Sequence, residues 1–384
     1  MPVMSDAYLY IDSPAALEDL CRRLKGQPWI AVDTEFMRER TYYPELCLVQ
    51  VATDEVVACI DPLALTSLQP LLEVMLDEGS VKVLHAARQD LEIFYHLAGR
   101  VPAPVFDTQV AARFLGLPDQ AGYGAVVQSL LGVTLDKSHA RTDWARRPLP
   151  PAALEYAADD VRHLRNLYKK MQAELAERGR AGWAEPEMKN LSEEKLYRPD
   201  PEGAWHRVRG IQRMKPKAVA LVKSLAAWRE HTAMAENRPR QWILKDEALM
   251  DLAKQVPADL EALAAIRGVG DSLAKRHGAD IMQILKSGGE APEERPRASG
   301  PLTTRQDALV DALNAIVRLK AAEGEVSAAS LANRSELERL VRGERDLEIL
   351  KDWRLKLAGQ ALLDFLAGKH ALAAVDGGLD IAPR

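Results

Sequence analysis

Long apolar runs are absent from this chain of 384 residues. No stretch approaches the roughly 20 apolar residues a membrane helix requires, which argues against a span. Met1 to Tyr10 lack the basic-then-apolar order of a secretion signal. Cysteine is scarce as well. Cys21, Cys47 and Cys59 form no C-x-x-C pair and leave one thiol odd. Two of them stand in apolar strand-like runs, where a reduced, buried thiol is the ordinary role. A cytoplasmic home is the expectation. No G-x-x-x-x-G-K-S/T occurs, which removes ATPase chemistry and the nucleotide cofactor it would use. No His-Glu-x-x-His and no Cys/His cluster speaks for zinc. Gly268-Val269-Gly270 is a fragment of a dinucleotide fingerprint that follows a helix pattern rather than a strand. A helix–helix corner explains it as well as a phosphate-binding turn does.

What the chain does carry is three acidic clusters in order. They are Asp33-Thr34-Glu35, Asp90 at the end of His85-Ala86-Ala87-Arg88-Gln89-Asp90, and Asp159-Asp160 behind Tyr156. Asp33 and Glu35 end an apolar strand pattern two residues apart, so both side chains leave one face, roughly 6.6 Å apart along the chain. Taken singly, each cluster has a plain reading: an exposed strand end, a helix cap at Asp90, a structural histidine at His85, a core aromatic at Tyr156. Tyr156 and Asp160 stand at i and i+4 and share a helix face, which selects Asp160 over Asp159. Four carboxylates on a rigid scaffold form an oxygen-rich site suited to divalent cations. Two such cations, about 3.5–4 Å apart, can clamp the attacking and leaving oxygens of a phosphodiester displacement.

Strand patterns at 29–33, 46–51 and 56–60 lead into strand–helix alternation through 81–84 and 105–106. The short Thr53-Asp54-Glu55 link predicts an antiparallel hairpin. Pro150 and Pro151 suit the start of a long helix carrying Tyr156 and Asp160. An α/β domain with a mixed sheet is therefore expected over residues 1–180. Residues 181–203 read as a linker, 204–288 as a helical domain and 289–301 as a Gly/Pro-rich linker. Residues 302–375 read as a second helical domain, with Leu309, Leu313, Ile316 and Leu319 on one buried face. Residues 376–384 read as a frayed tail.

Net charge is −5, yet the window from Trp205 to Lys245 holds ten basic and two acidic residues. Arg207, Arg209, Arg213 and Lys215 in that window are candidate phosphate contacts, as are Lys137, Arg141, Arg146 and Arg147. A solvated helix face is the plain alternative, and the shortage of acidic partners in the window argues against it.

Together these segments resemble the DEDD exonuclease superfamily, in the ribonuclease D branch whose third motif carries tyrosine. Val32-Asp33-Thr34-Glu35-Phe36 matches the first motif, continuing through Thr41-Tyr42-Tyr43-Pro44 and Leu48-Val49-Gln50. The stretch from His85 through Asp90 to Phe94 matches the second, and Tyr156-Ala157-Ala158-Asp159-Asp160-Val161 the third. Phe106-Asp107-Thr108-Gln109 and the stretch from Asp143-Trp144 to Leu149 are similar to segments between them. The histidine branch would place a histidine before Asp160; His163 follows it. Trp228-Arg229, Asn237-x-Pro239, Asp246-x-x-Leu249 and Gly268-Val269-Gly270 resemble an HRDC domain, the helical module shared with RecQ-type helicases. Residues 302–371 resemble a second copy more loosely: Leu331-Ala332, Leu337 and Trp353-Arg354 fit, and the Asn-x-Pro turn and Gly-x-Gly segment are missing.

The resemblance implies a ribonuclease H-like α/β exonuclease domain followed by two all-α HRDC-type domains. It implies metal-dependent hydrolysis of RNA from a free 3′ end to nucleoside 5′-monophosphates, with tRNA precursors as the substrate class. Asp33, Glu35, Asp90 and Asp160 would hold two divalent cations, Mg2+ with Mn2+ as a substitute, and Tyr156 would align the attacking water. Two other readings stay open. One is a 3′–5′ exonuclease acting on DNA; the other is a catalytically silent RNA-binding protein, against which the intact carboxylate set argues.

Overall fold

The computed structural model describes residues 7–136, 138–139, 142–288 and 300–384. The expected linker at 289–301 lies almost wholly outside the described residues, as do Lys137, Arg141 and the side chain of Arg213. Six strands form the main sheet: β1 (Leu9–Ile11), β2 (Trp29–Met37), β3 (Glu45–Ala52), β4 (Val57–Ile60), β5 (Val81–Leu84) and β6 (Val105–Asp107). Their order is β1-β4-β3-β2-β5-β6. β3 and β4 pair antiparallel with Val49 opposite Ile60, as the short link predicts, while β1/β4, β2/β5 and β5/β6 run parallel. The expected mixed sheet is present. β2 is central, and its Ile30, Ala31 and Val32 are buried, the run that a strand covered on both faces needs. β1 and helix α1 (Pro14–Leu24) extend the domain toward the N-terminus; a three-residue strand is too short to show alternation in sequence.

Helices α2 (Gln69–Met75), α3 (Arg88–Ala98), α4 (Thr108–Arg113), α5 (Tyr123–Leu131) and α6 (Pro151–Glu177) complete the α/β part. Pro151 opens α6 in its first turn, where a missing N–H costs nothing. Cys21, Cys47 and Cys59 are all buried, and none of the three is in a disulfide. Burial pushes the Cys21 thiol up to about 11 and that of Cys59 up to about 12, which suppresses thiolate chemistry.

Packing divides the chain into two units. The first takes in the described residues up to Glu35, Cys47–Leu196 and Gly300–Arg384; the second takes in Phe36–Leu46 and the described part of Tyr197–Ser299. Within the first unit the C-terminal helices dock on the α/β part through the segment expected to be a linker. That segment forms α7 (Glu185–Leu191). Trp183 stacks face to face on Trp353 at 4.5 Å, and Trp353 meets Phe114 edge-on at 5.4 Å. Glu187 is shared between Arg113, at 2.6 Å, and Arg354.

The second unit is helical: α8 (Pro216–Ala235), α9 (Arg240–Ile243), α10 (Asp246–Gln255), α11 (Leu260–Ala265) and α12 (Gly270–Ser287). Trp205, Val222, Leu225, Leu249, Leu263 and Ile281 contribute to its core. Gly268, at φ +87°, turns between α11 and α12, and a Cβ there would come within 3.1 Å of Ala248. The Gly-x-Gly segment is thus a packed helix corner.

In the first unit's C-terminal part, α13 (Thr304–Glu323) begins with a Thr303/Gln306 capping box, followed by α14 (Ala328–Leu331) and α15 (Arg334–Val341). Its buried stripe is Val310, Leu313, Ile316 and Val317; Leu309 and Leu319 flank it, half-buried. The tail does not fray. β7 (His370–Val375) and β8 (Gly378–Pro383) pair antiparallel around Asp376 and Gly377, at φ +48° and +78°. Two positive φ values in a two-residue Asp-Gly loop match the twist of a hairpin, and Leu372 and Ile381 pack on the neighbouring helical core.

Candidate active site

β2 delivers Asp33 and Glu35, and α6 delivers Tyr156 and Asp160. Asp33, Glu35 and Asp160 each offer a carboxylate oxygen, and these atoms lie within 4.8 Å of one another. Asp90, in the first turn of α3, accepts a hydrogen bond from Thr34 and stands outside that tight triple. The middle residue of the first motif thus holds the carboxylate of the second. Asp159 borders the same cleft but pairs with Arg162, at 2.6 Å, and the triple holds Asp160, the residue that the i and i+4 spacing selects.

The electrostatics of the cluster are those of like charges buried together. Burial, then the neighbouring carboxylates, push Glu35 up to about 9 and Asp90 and Asp160 up to about 8. Burial raises Asp33 to about 6. Tyr156 is hydrogen-bonded to Asp160, and burial followed by that carboxylate's charge raises its phenol, so it stays a donor. The rings of His139 and Trp144 lie 6.0 and 6.5 Å from that of Tyr156. A cleft of about 400 Å3 opens here, bounded in part by Thr134, Asp136, His139, Tyr156, Asp160 and His163.

Two further residues support the site, and neither is among the site residues expected from the sequence. Asp107 is an N-cap for α4 and also accepts from Ala86 N (3.1 Å) and Ala87 N (2.9 Å), which fixes the entry to α3 and hence Asp90. Its signal was an Asp directly before a helix pattern. Tyr123 donates to the main-chain carbonyl of Asp160, a long-range contact with no local signal. His85 takes the structural role: Thr108 gives its hydroxyl proton to Leu84 O, so His85 Nδ1 donates to Thr108 Oγ1 at 2.9 Å. Burial lowers its pKa.

The candidate phosphate contacts fare unevenly. Arg147 faces inward: its guanidinium is bidentate to Asp61, at 2.6 and 2.7 Å, and also donates to the carbonyls of Trp144 and Cys47. Burial alone would raise the Asp61 carboxyl, and hydrogen bonds from Arg147 and Tyr10 outweigh it and hold it below its usual range. A guanidinium held this way is a brace and not a phosphate ligand, which corrects the expectation for Arg147. In the window from Trp205 to Lys245, Arg207 pairs with Glu230 (3.0 Å), Arg238 with Glu236 (3.0 Å) and buried Arg229 with Asp246 (2.7 Å). Acidic partners are therefore not short there, and one of them comes from outside the window. Arg146, Arg209 and Lys215 are exposed.

Known proteins share this arrangement. A family described as 3′–5′ exonuclease matches residues 8–176, and the HRDC domain family matches residues 218–285. The chain is 41% identical to ribonuclease D of Nitrobacter hamburgensis over 372 residues, 96% of this chain and 97% of that one. The chain belongs to the ribonuclease D family. Ribonuclease D of Sphingobium indicum is 42% identical over 379 residues, again 96% of this chain and 97% of that one. The crystal structure of Escherichia coli RNase D, described as an exoribonuclease involved in structured RNA processing, matches with a TM-score of 0.80 at 31% identity. It covers 94% of this chain and 99% of that one. The protein is a 3′–5′ exoribonuclease of the DEDD class with an HRDC domain, acting on RNA 3′ ends. Among the described residues no helix is long and apolar enough to cross a membrane.

Proposed function

We propose that this ribonuclease D family member removes nucleotides one at a time from RNA 3′ ends as 5′-monophosphates, using two divalent cations at Asp33, Glu35, Asp90 and Asp160. The observation that carries this is the tight triple of Asp33, Glu35 and Asp160. Its donors are all oxygen, which suits Mg2+, with Mn2+ as a substitute. Burial raises all four carboxyls, neighbouring carboxylates raise Glu35, Asp90 and Asp160 further, and no basic side chain is among the causes acting on them. Such a cluster fits a cation supplied from outside the chain. When bound, the cations supply an acidified water and neutralise charge building on the phosphate.

The chain's own groups do the rest. Asp33, Glu35 and Asp160 bind; Thr34 keeps Asp90 in place beside them. Tyr156, protonated and tied to Asp160, offers an O–H to orient the attacking water against the scissile phosphorus. Tyr123 and Asp107 fix the backbone from which Asp160 and Asp90 project. Arg146, Arg209, Arg213 and Lys215 remain candidates to hold the RNA body, with tRNA precursors as the substrate class.

The test uses labelled RNA and DNA oligonucleotides of one sequence with free 3′ ends, incubated with Mg2+, with Mn2+ and with EDTA. Stepwise shortening of RNA that EDTA stops is the expected result. Equal or faster shortening of DNA would favour the deoxynucleotide reading, and RNA binding without shortening would favour a silent binder. Tyr156→Phe should lower kcat at least tenfold with RNA affinity and Tm unchanged.

A further inference from the structure

The segment that follows the first motif belongs, by its packing, to the helical unit. Phe36–Leu46 groups with the helices although Glu35, one residue earlier, groups with the sheet. Three contacts explain this. Asn237, at φ +46° just past the end of α8, accepts the backbone N–H groups of both Tyr42 and Tyr43 on its Oδ1, each at 3.1 Å. The Tyr42 hydroxyl donates to Glu230 Oε1 at 2.7 Å. Glu230, 2% exposed, also receives Arg207 at 3.0 Å and lies 3.6 Å from Arg240. Asparagine tolerates the left-handed conformation better than most residues. Pro239 then caps the start of α9 and fixes the turn. The Asn-x-Pro turn thus presents one side-chain oxygen to two adjacent amides of a segment almost 200 residues earlier.

That segment is also the continuation of β2, which runs unbroken from Trp29 past Asp33 and Glu35 to Met37. Four residues separate the end of the strand from Tyr42. The Tyr42 phenol is held protonated, its pKa raised first by burial and then by Glu230, so it remains a donor across the working range. Glu230 Oε1 takes this hydroxyl together with the Arg207 guanidinium. We propose that Asn237, Glu230 and Tyr42 form an anchor by which the HRDC-like unit sets the end of β2, and so act as positioning residues for Asp33 and Glu35. The proposal rests on those two carboxylates binding cations. It gives the Asn-x-Pro turn a task at the catalytic strand that is separate from gripping RNA.

The experiment compares the full-length protein with Tyr42→Phe, Asn237→Ala and Asn237→Asp. Three quantities are measured: Mn2+ affinity by calorimetry, kcat and KM on a tetranucleotide of RNA, and hydrogen exchange of the peptide spanning Glu35 to Leu46. Tyr42→Phe and Asn237→Ala should each weaken Mn2+ binding and lower kcat roughly fivefold, the order of one lost neutral hydrogen bond, with KM and Tm nearly unchanged. Exchange at 42 and 43 should quicken in Asn237→Ala. Asn237→Asp keeps the acceptor and should restore Mn2+ affinity and kcat. Faster exchange with unchanged Mn2+ affinity and kcat would overturn the proposal and leave a plain packing contact. Loss of kcat that Asn237→Asp fails to rescue would overturn it as well. Absence of Mn2+ binding in the unaltered protein would instead refute the metal reading beneath it, a distinct result.

Discussion

Both units of this protein bury carboxylates, and the cleft of the first and the core of the second treat them in opposite ways. The catalytic unit gathers Asp33, Glu35, Asp90 and Asp160 against one another, and their pKa values rise. The helical unit matches buried charge with its opposite: Glu230 with Arg207, and Arg229 with Asp246. A buried pair made within the chain is complete at folding. A buried cluster of one sign is complete only when something else arrives. The contrast separates residues kept for structure from residues kept for chemistry better than conspicuous motifs or local charge counts do, and Arg147 is the example of a conspicuous arginine on the structural side.

The largest effect that could break this contrast is on turnover. Asp33→Ala should lower RNA hydrolysis by about two to three orders of magnitude or more while the metal-free protein melts no lower than the parent. A lower Tm with activity kept would place Asp33 among the structural charges. Next comes the opposite experiment in the helical unit. Asp246→Ala strands buried Arg229, whose remaining bond is to Leu244 O at 2.9 Å, and should cost about 2–4 kcal/mol of stability by urea unfolding. It should leave the kcat for a tetranucleotide within about twofold when assayed well below the unfolding transition.

A smaller effect is expected from pH. Asp33 titrates near 6, Asp90 and Asp160 near 8 and Glu35 near 9, all raised above the unfolded carboxyl range. Between roughly pH 4 and 9 these four carboxyls therefore bind more protons in the metal-free folded protein than in the unfolded chain, and their contribution to stability falls as pH rises. The Tm in EDTA should drop from pH 6 to pH 9, the gap opened by Mg2+ should widen over the same range, and Asp33→Ala should narrow both changes. A flat profile in the parent would remove the like-charge reading. The smallest change concerns grip. Replacing exposed Arg209, Lys215 and Lys217 by glutamine should flatten the salt dependence of binding to a tRNA-sized RNA by up to about two units of slope, with tetranucleotide cleavage unaltered. An unchanged slope would move the RNA body away from this surface.

Much of the site was legible because its signals are local. Two carboxylates at i and i+2 on a strand must share a face, and Tyr156 with Asp160 at i and i+4 on a helix must do the same. The hairpin at the C-terminus was equally local, in Asp376-Gly377, yet its polar composition read as fraying. Leu309 and Leu319 missed full burial because the 3.6-residue pitch turned the stripe toward Val310 and Val317.

By itself, then, the sequence determined the order of strands and helices in the catalytic part, the apolar faces and the set of residues able to meet at a metal site. All of these follow from spacing along one element. Only the tertiary structure decided which charges would be neutralised by which. Arg147 finds Asp61 across 86 positions, and Tyr42 finds Glu230 across 188. Charge along the sequence counts neighbours in the chain, whereas Coulomb attraction and desolvation act on neighbours in space, and folding sets those two neighbourhoods apart.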